Sequence, residues 1–85
     1  MKTSFTKTFV RGYRKLPLEI QKTVDKQLEL LVENPRHPSL NLKKMQDPRG
    51  IWECRVSYFY RFTFQIGKDT YIFRKVVTHY LLKNP

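Results

Sequence analysis

The stretch YRFTFQI, residues 60–66, decides the fold. Tyr60, Phe62, Phe64 and Ile66 alternate with Arg61, Thr63 and Gln65. A two-residue period of this kind marks a β-strand with one buried face. The preceding segment, IWECRVS (51–57), alternates in the same way, with Trp52, Cys54 and Val56 on one side and Glu53 and Arg55 on the other. The following segment, TYIFRKVV (70–77), comes after a Gly-Lys-Asp turn and is apolar on both faces, which predicts a central or doubly covered strand. Consecutive strands joined by short turns predict an antiparallel meander.

An aromatic sheet face needs a cover, and the sequence offers one clear helix. Ile20, Val24, Leu28, Leu31 and Val32 recur at spacings of three and four, with Lys22, Lys26, Glu29 and Glu33 off the stripe. Pro17 suits the first helical turn, and the prolines of ENPRHP (33–38) end the helix. SFTKTFV (4–10) reads as a first strand carrying Phe5 and Phe9, broken by Gly12, and GYRKLP (12–17) as a short turn or loop. SLNLKKMQDPRG (39–50) reads as a connection with a short strand around Leu40 to Met45, closed by a turn at Pro48 and Gly50. The expected fold is α+β over residues 1–85 as one domain: a small antiparallel meander with N-terminal helical elements packed on one face.

The 85 residues carry 17 Lys and Arg against 7 Asp and Glu, a net charge of +10. The segment from Pro17 to Asn34 is net −2, so the rest of the chain carries +12. A surplus of that size favours an anionic partner: nucleic acid, an acidic protein or a membrane surface. The lone cysteine, Cys54, excludes a disulfide scaffold, fits a reducing cytoplasm and reads as a small core residue. The start MKTSFTKTFV has no apolar core of a secretion signal, and no apolar run reaches the ~18–20 residues of a membrane span. His37 and His79 are far apart and no Cys/His spacing suggests zinc, so no metal or cofactor is expected.

With the aromatic face covered, the other face presents Glu53, Arg55 and Arg61. The last strand, ending VVTHY (76–80), brings Lys75, His79 and Tyr80 to the same neighbourhood, beside Lys43 and Lys44. Such a set suits RNA cleavage by attack of a 2′-hydroxyl on the adjacent phosphorus. A base must take the hydroxyl proton, a cation must stabilise the phosphoryl oxygens, and an acid must protonate the leaving 5′-oxygen. An arginine fork matches phosphate oxygens, and an imidazole exchanges protons near neutrality. Lys43, Lys44 or Glu53 can serve as base, and Tyr58 or Tyr80 can stack on a nucleobase. The plainer readings are a structural strand-end histidine, arginines that pair with an acidic protein, and a turn role for His37.

GIWECRVSYFYRFTFQI (50–66) followed by DTYIFRKVVTHY (69–80) resembles the RelE/ParE superfamily of type II toxin–antitoxin toxins. NPRHPSLNLKKM (34–45) resembles the stretch before the sheet in one RelE-like branch. The resemblance implies a small antiparallel sheet with N-terminal helices on one face. It also implies a toxin, in many members a ribosome-dependent mRNA endonuclease, with an acidic cognate antitoxin and the ribosome and mRNA as partners. On this likeness Arg61 contacts the scissile phosphate, His79 is the acid, and Tyr80 positions RNA, as in the His-Tyr ending of YoeB-type members. Arg55 falls where several members are basic, and Lys43 and Lys44 lie near the lysines of RelE. SLNLKK (39–44) has no acid where YoeB-type members carry a glutamate base, so the base stays open among the lysines, Glu53 and the ribosome. Two alternatives remain: a ParE-like gyrase inhibitor, and a retained fold with lost chemistry that binds nucleic acid or antitoxin.

Overall fold

The computed structural model describes residues 1–78; His79 and Tyr80 lie outside the described residues. Strand β1 (Lys2–Phe5) is followed by helices α1 (Lys7–Arg14) and α2 (Leu18–Glu33), a 3₁₀ turn (Pro38–Leu40), and strands β2 (Lys43–Lys44), β3 (Ile51–Arg55), β4 (Tyr60–Ile66) and β5 (Thr70–Thr78). They form a five-stranded sheet in the order β1-β5-β4-β3-β2. Strands β2 to β5 are the expected antiparallel meander, and β1 joins its far edge parallel to β5. The fold is α+β, with both helices packed against the sheet.

The register sorts the side chains. Trp52 pairs with Phe64, Cys54 with Phe62, Phe62 with Val76 and Phe64 with Phe73, which places them on one face. Phe62, Phe64, Phe73 and Cys54 are fully buried there, with Phe9 from α1 and Val24 and Leu31 from α2 above them. Phe9 reaches Phe73 and Phe62 at centroid distances of 5.8 and 6.2 Å. Each such ring removed from water stabilises the fold by about 1.5–3 kcal/mol.

The expected first strand is two elements. β1 stops at Phe5, and Thr6 caps α1: its hydroxyl accepts from the Phe9 amide at 3.1 Å and donates to the Arg74 carbonyl at 2.6 Å. That cap turns Phe9 onto the sheet as a helical residue. Gly12 lies inside α1 rather than breaking a strand, where its bare Cα faces the Val76 carbonyl.

Helix α2 runs between the expected stops, with Pro17 at its N-cap. Its buried line is Val24, Gln27 and Leu31, and Val32 is exposed. Gln27 is tolerated because its amide donates to the carbonyls of Arg55 (2.7 Å) and Ser39 (3.2 Å), tying helix to sheet and to the 3₁₀ turn. The turn at Asp47–Gly50 forms as expected, with Gly50 at φ 70°. The Arg49 guanidinium beside Asp47 holds that carboxyl down at about 2.

β5 is internal, as expected, but its two-sided apolarity has a local cause. An irregularity opposite Thr63/Phe64 shifts the register, so the helix-covered positions pass from Tyr71 and Phe73 to Val76 and Thr78. Ile66, expected on the buried face, is exposed at the strand end.

Candidate nucleic-acid interface

Residues directly opposite one another in an antiparallel sheet share a face, with Cβ atoms about 4.5–5.5 Å apart. On the face away from the helices, Lys43 pairs with Glu53, Glu53 with Thr63, and Thr63 with Lys75, a continuous row across β2 to β5. The neighbouring row is Arg55, Arg61 and Val77. Five expected site residues therefore meet on one face: Lys43, Glu53, Arg55, Arg61 and Lys75. Lys43, Arg55 and Lys75 are exposed, and Glu53 is half-buried between Lys43 and Thr63. Lys44 pairs with Trp52 and so points to the opposite side of the sheet, away from this set. The reason is the strand's own alternation, which no adjacent pair of residues can escape.

Arg55 and Arg61 stand directly opposite, an arrangement that like charges disfavour. The structure separates them. Arg55 extends into solvent, whereas Arg61 is 8% exposed. Its Nη1 donates to the carbonyl oxygens of Ser57, of Tyr58 at 3.2 Å and of Tyr60 at 3.0 Å. A buried guanidinium needs such partners, because an unpaired charge away from water is costly. Arg61 thus braces the β3–β4 turn, and among the described residues its Nε and Nη2 have no partner. The expectation of an open arginine on the sheet surface is corrected to a braced one with one of its three nitrogens committed. Alternation alone carries no signal of this, since the acceptors are turn carbonyls.

Other expectations resolve as packing. Cys54 is fully buried, and burial pushes its thiol up to about 12, the opposite of an activated nucleophile. His37 accepts from the Ser39 amide through Nδ1 at 3.2 Å and caps the 3₁₀ turn.

A second basic surface lies on the helices. Lys7, Arg11, Arg14 and Lys15 are exposed along α1, beside an open apolar pocket of ≈ 330 Å³ lined by Phe5, Phe9, Val10, Tyr13 and Leu28. At its rim the Tyr13 hydroxyl donates to Asp25 at 2.7 Å, and that carboxylate raises the phenol's pKa. The spacing of these cations, four and then three residues, is legible as a helical face once Thr6 is read as a cap.

No protein-family model and no curated protein matches the chain. Solved structures do. A chain of the RelB–RelE antitoxin–toxin complex from Methanococcus jannaschii is 26% identical over 95% of both chains, with a TM-score of 0.76. The YoeB/ParE toxin from Agrobacterium tumefaciens is 13% identical, over 94% of this chain and 100% of that one, at 0.78. YafQ from E. coli is 14% identical, over 95% and 96%, at 0.74.

Proposed function

We propose, from its likeness in fold to solved RelE, YoeB and YafQ toxins, that this chain is the toxin of a type II toxin–antitoxin system that cuts mRNA on the ribosome in the cytoplasm. The observation that carries the reading is the register: Lys43, Glu53, Arg55, Arg61 and Lys75 share one sheet face in two adjacent rows.

On this reading Lys43, Lys75 and Arg55 hold the RNA backbone by charge, and the Nε and Nη2 edge of Arg61, unpartnered among the described residues, meets the scissile phosphate. Glu53, set between Lys43 and Thr63, takes the 2′-hydroxyl proton. The hydroxyl oxygen then attacks phosphorus, and the 5′-oxygen leaves with a proton from His79. Phosphoryl transfer to a neighbouring hydroxyl balances without water and without a cofactor. Tyr80 orients the nucleotide. His79 and Tyr80 enter through their sequence positions directly after β5.

The same cationic surfaces suit an acidic antitoxin. A wrapping acidic segment that covers the Lys43–Lys75 row neutralises the phosphate site with no change in the toxin's shape. Relatives of this fold have been seen in complex with antitoxins, RelB and DinJ among them.

The test is incubation with programmed ribosomes, followed by mapping of mRNA 5′ ends by primer extension. Wild-type protein is expected to cut within A-site codons, and His79→Ala and Arg61→Ala to abolish the cuts. Glu53→Gln should lower the rate at least tenfold if Glu53 is the base. Intact mRNA from folded wild-type protein overturns the endonuclease and makes a gyrase supercoiling assay the next measurement.

A further inference from the structure

Resting on the reading above, we infer that the β3–β4 turn is a nucleobase-stacking platform, with Tyr58 and Phe59 the residues that hold a base of single-stranded RNA. The two rings are 68% and 64% exposed, the turn's other apolar residue, Val56, being buried in the core. They touch edge to face at a centroid distance of 4.9 Å and an interplanar angle of 84°. Single exposed apolar residues are ordinary, but two exposed aromatic rings in contact at a strand turn form an apolar patch.

The platform is rigid at its base. The amides of Val56 and Ser57 both donate to the Tyr60 carbonyl, at 3.1 and 3.2 Å, and the Arg61 guanidinium joins the carbonyls of Ser57, Tyr58 and Tyr60. Rings on a braced turn lose little freedom when a ligand lands on them, so stacking there is preorganised.

Charge selects the occupant. Arg55 and Arg61 form the last paired row before the turn, and Phe59 is two residues from Arg61, so their Cα atoms are at most about 7 Å apart. A base stacked on the tip leaves its phosphate beside these arginines and the Lys43–Lys75 row. Aromatic faces next to a cationic track are the arrangement that binds unpaired RNA, because every base has a π-face and every phosphate a charge. An apolar protein partner would gain nothing from that track.

The probe is a fluorescein-labelled single-stranded oligoribonucleotide, titrated with the full chain and followed by anisotropy at several salt concentrations. Circular dichroism checks each variant's fold. Tyr58→Ala with Phe59→Ala should weaken binding by about five- to a hundredfold, the range of a lost stacked base. The salt slope should stay at the wild-type value, because no phosphate contact is removed. Phe59→Trp should hold or tighten the complex, and Phe59→Leu, which keeps apolar area without a π-face, should behave like alanine. Arg55→Ala should instead make the salt slope shallower by about one. Unchanged affinity in the double variant, or leucine binding as well as phenylalanine, overturns the platform while the RNA reading stands. Aromatic-dependent binding by a protein that cuts no mRNA keeps the platform and overturns the endonuclease. No binding by the wild type overturns both.

Discussion

The two faces of the central sheet are written by the same strands and follow opposite rules. On the covered face Phe62, Phe64, Phe73 and Cys54 are fully buried under α1 and α2. One residue away along each strand, the other face carries Lys43, Glu53, Arg55 and Lys75 toward solvent. The first face holds the fold by area removed from water, and the exposed charges of the second, Lys43, Arg55 and Lys75, contribute little to stability. A small chain can therefore keep a strongly charged working surface only by concentrating its core on one side. Arg61 and Thr63 are where the division blurs: both belong to the charged side and both are buried.

Substitutions can break this contrast in order of expected size. Phe73→Ala removes a ring packed against Phe5, Phe9, Phe62 and Phe64, and should cost about 3–5 kcal/mol in urea denaturation. A domain this small has little more stability than that, so RNA binding should vanish with the fold. Gln27→Ala leaves the Arg55 and Ser39 carbonyls without their donor and should cost about 1–3 kcal/mol, although Gln27 is polar.

Cys54 gives a pH signature of the covered face. Burial raises its folded thiol to about 12 from an ordinary 9.0. A group raised in this way contributes fully below pH 9, and its contribution is lost as pH rises from there toward 12. Wild type should therefore lose urea stability relative to Cys54→Ala across that window, and parallel curves would contradict the buried thiol. The smallest stability effects belong to the charged row. Lys43→Ala and Lys75→Ala should each change stability by less than about 0.5 kcal/mol, yet each should make the salt dependence of RNA binding shallower by about one. A large stability loss in either would mean that the two faces are not separable.

How much of this was legible follows from how local each signal is. YRFTFQI and IWECRVS announced their strands because alternation is a property of consecutive residues, and the buried aromatic face followed from it. The helical stripe did so as well, but Gln27 hid in it because its value depends on two carbonyls brought from elsewhere. Phe5 and Phe9 misled: a spacing of four fits a loose strand as well as a helix, and only Thr6 as a cap decides between them. The shared face of Lys43, Glu53, Arg55, Arg61 and Lys75 needed the cross-strand register, which residue types alone do not give. Lys44 is misplaced because adjacent residues of a strand face opposite sides of the sheet. The burial of Arg61 was illegible because its partners are backbone carbonyls of a turn. The catalytic roles proposed for Arg61, His79 and Tyr80 rest on the family resemblance.

One feature of the topology bears on how the molecule comes to exist. β1 pairs with Thr70–Phe73, and the Thr6 hydroxyl bonds a carbonyl 68 positions away. The first strand and α1 thus have no sheet to dock on until almost the whole described chain is present. Closing so long a loop is entropically expensive before any contact repays it, and high contact order slows folding. A growing chain should lack a complete charged row until β5 arrives between β1 and β4. A stop before β5 would remove an internal strand rather than trim an edge, so partial products should not assemble a working face.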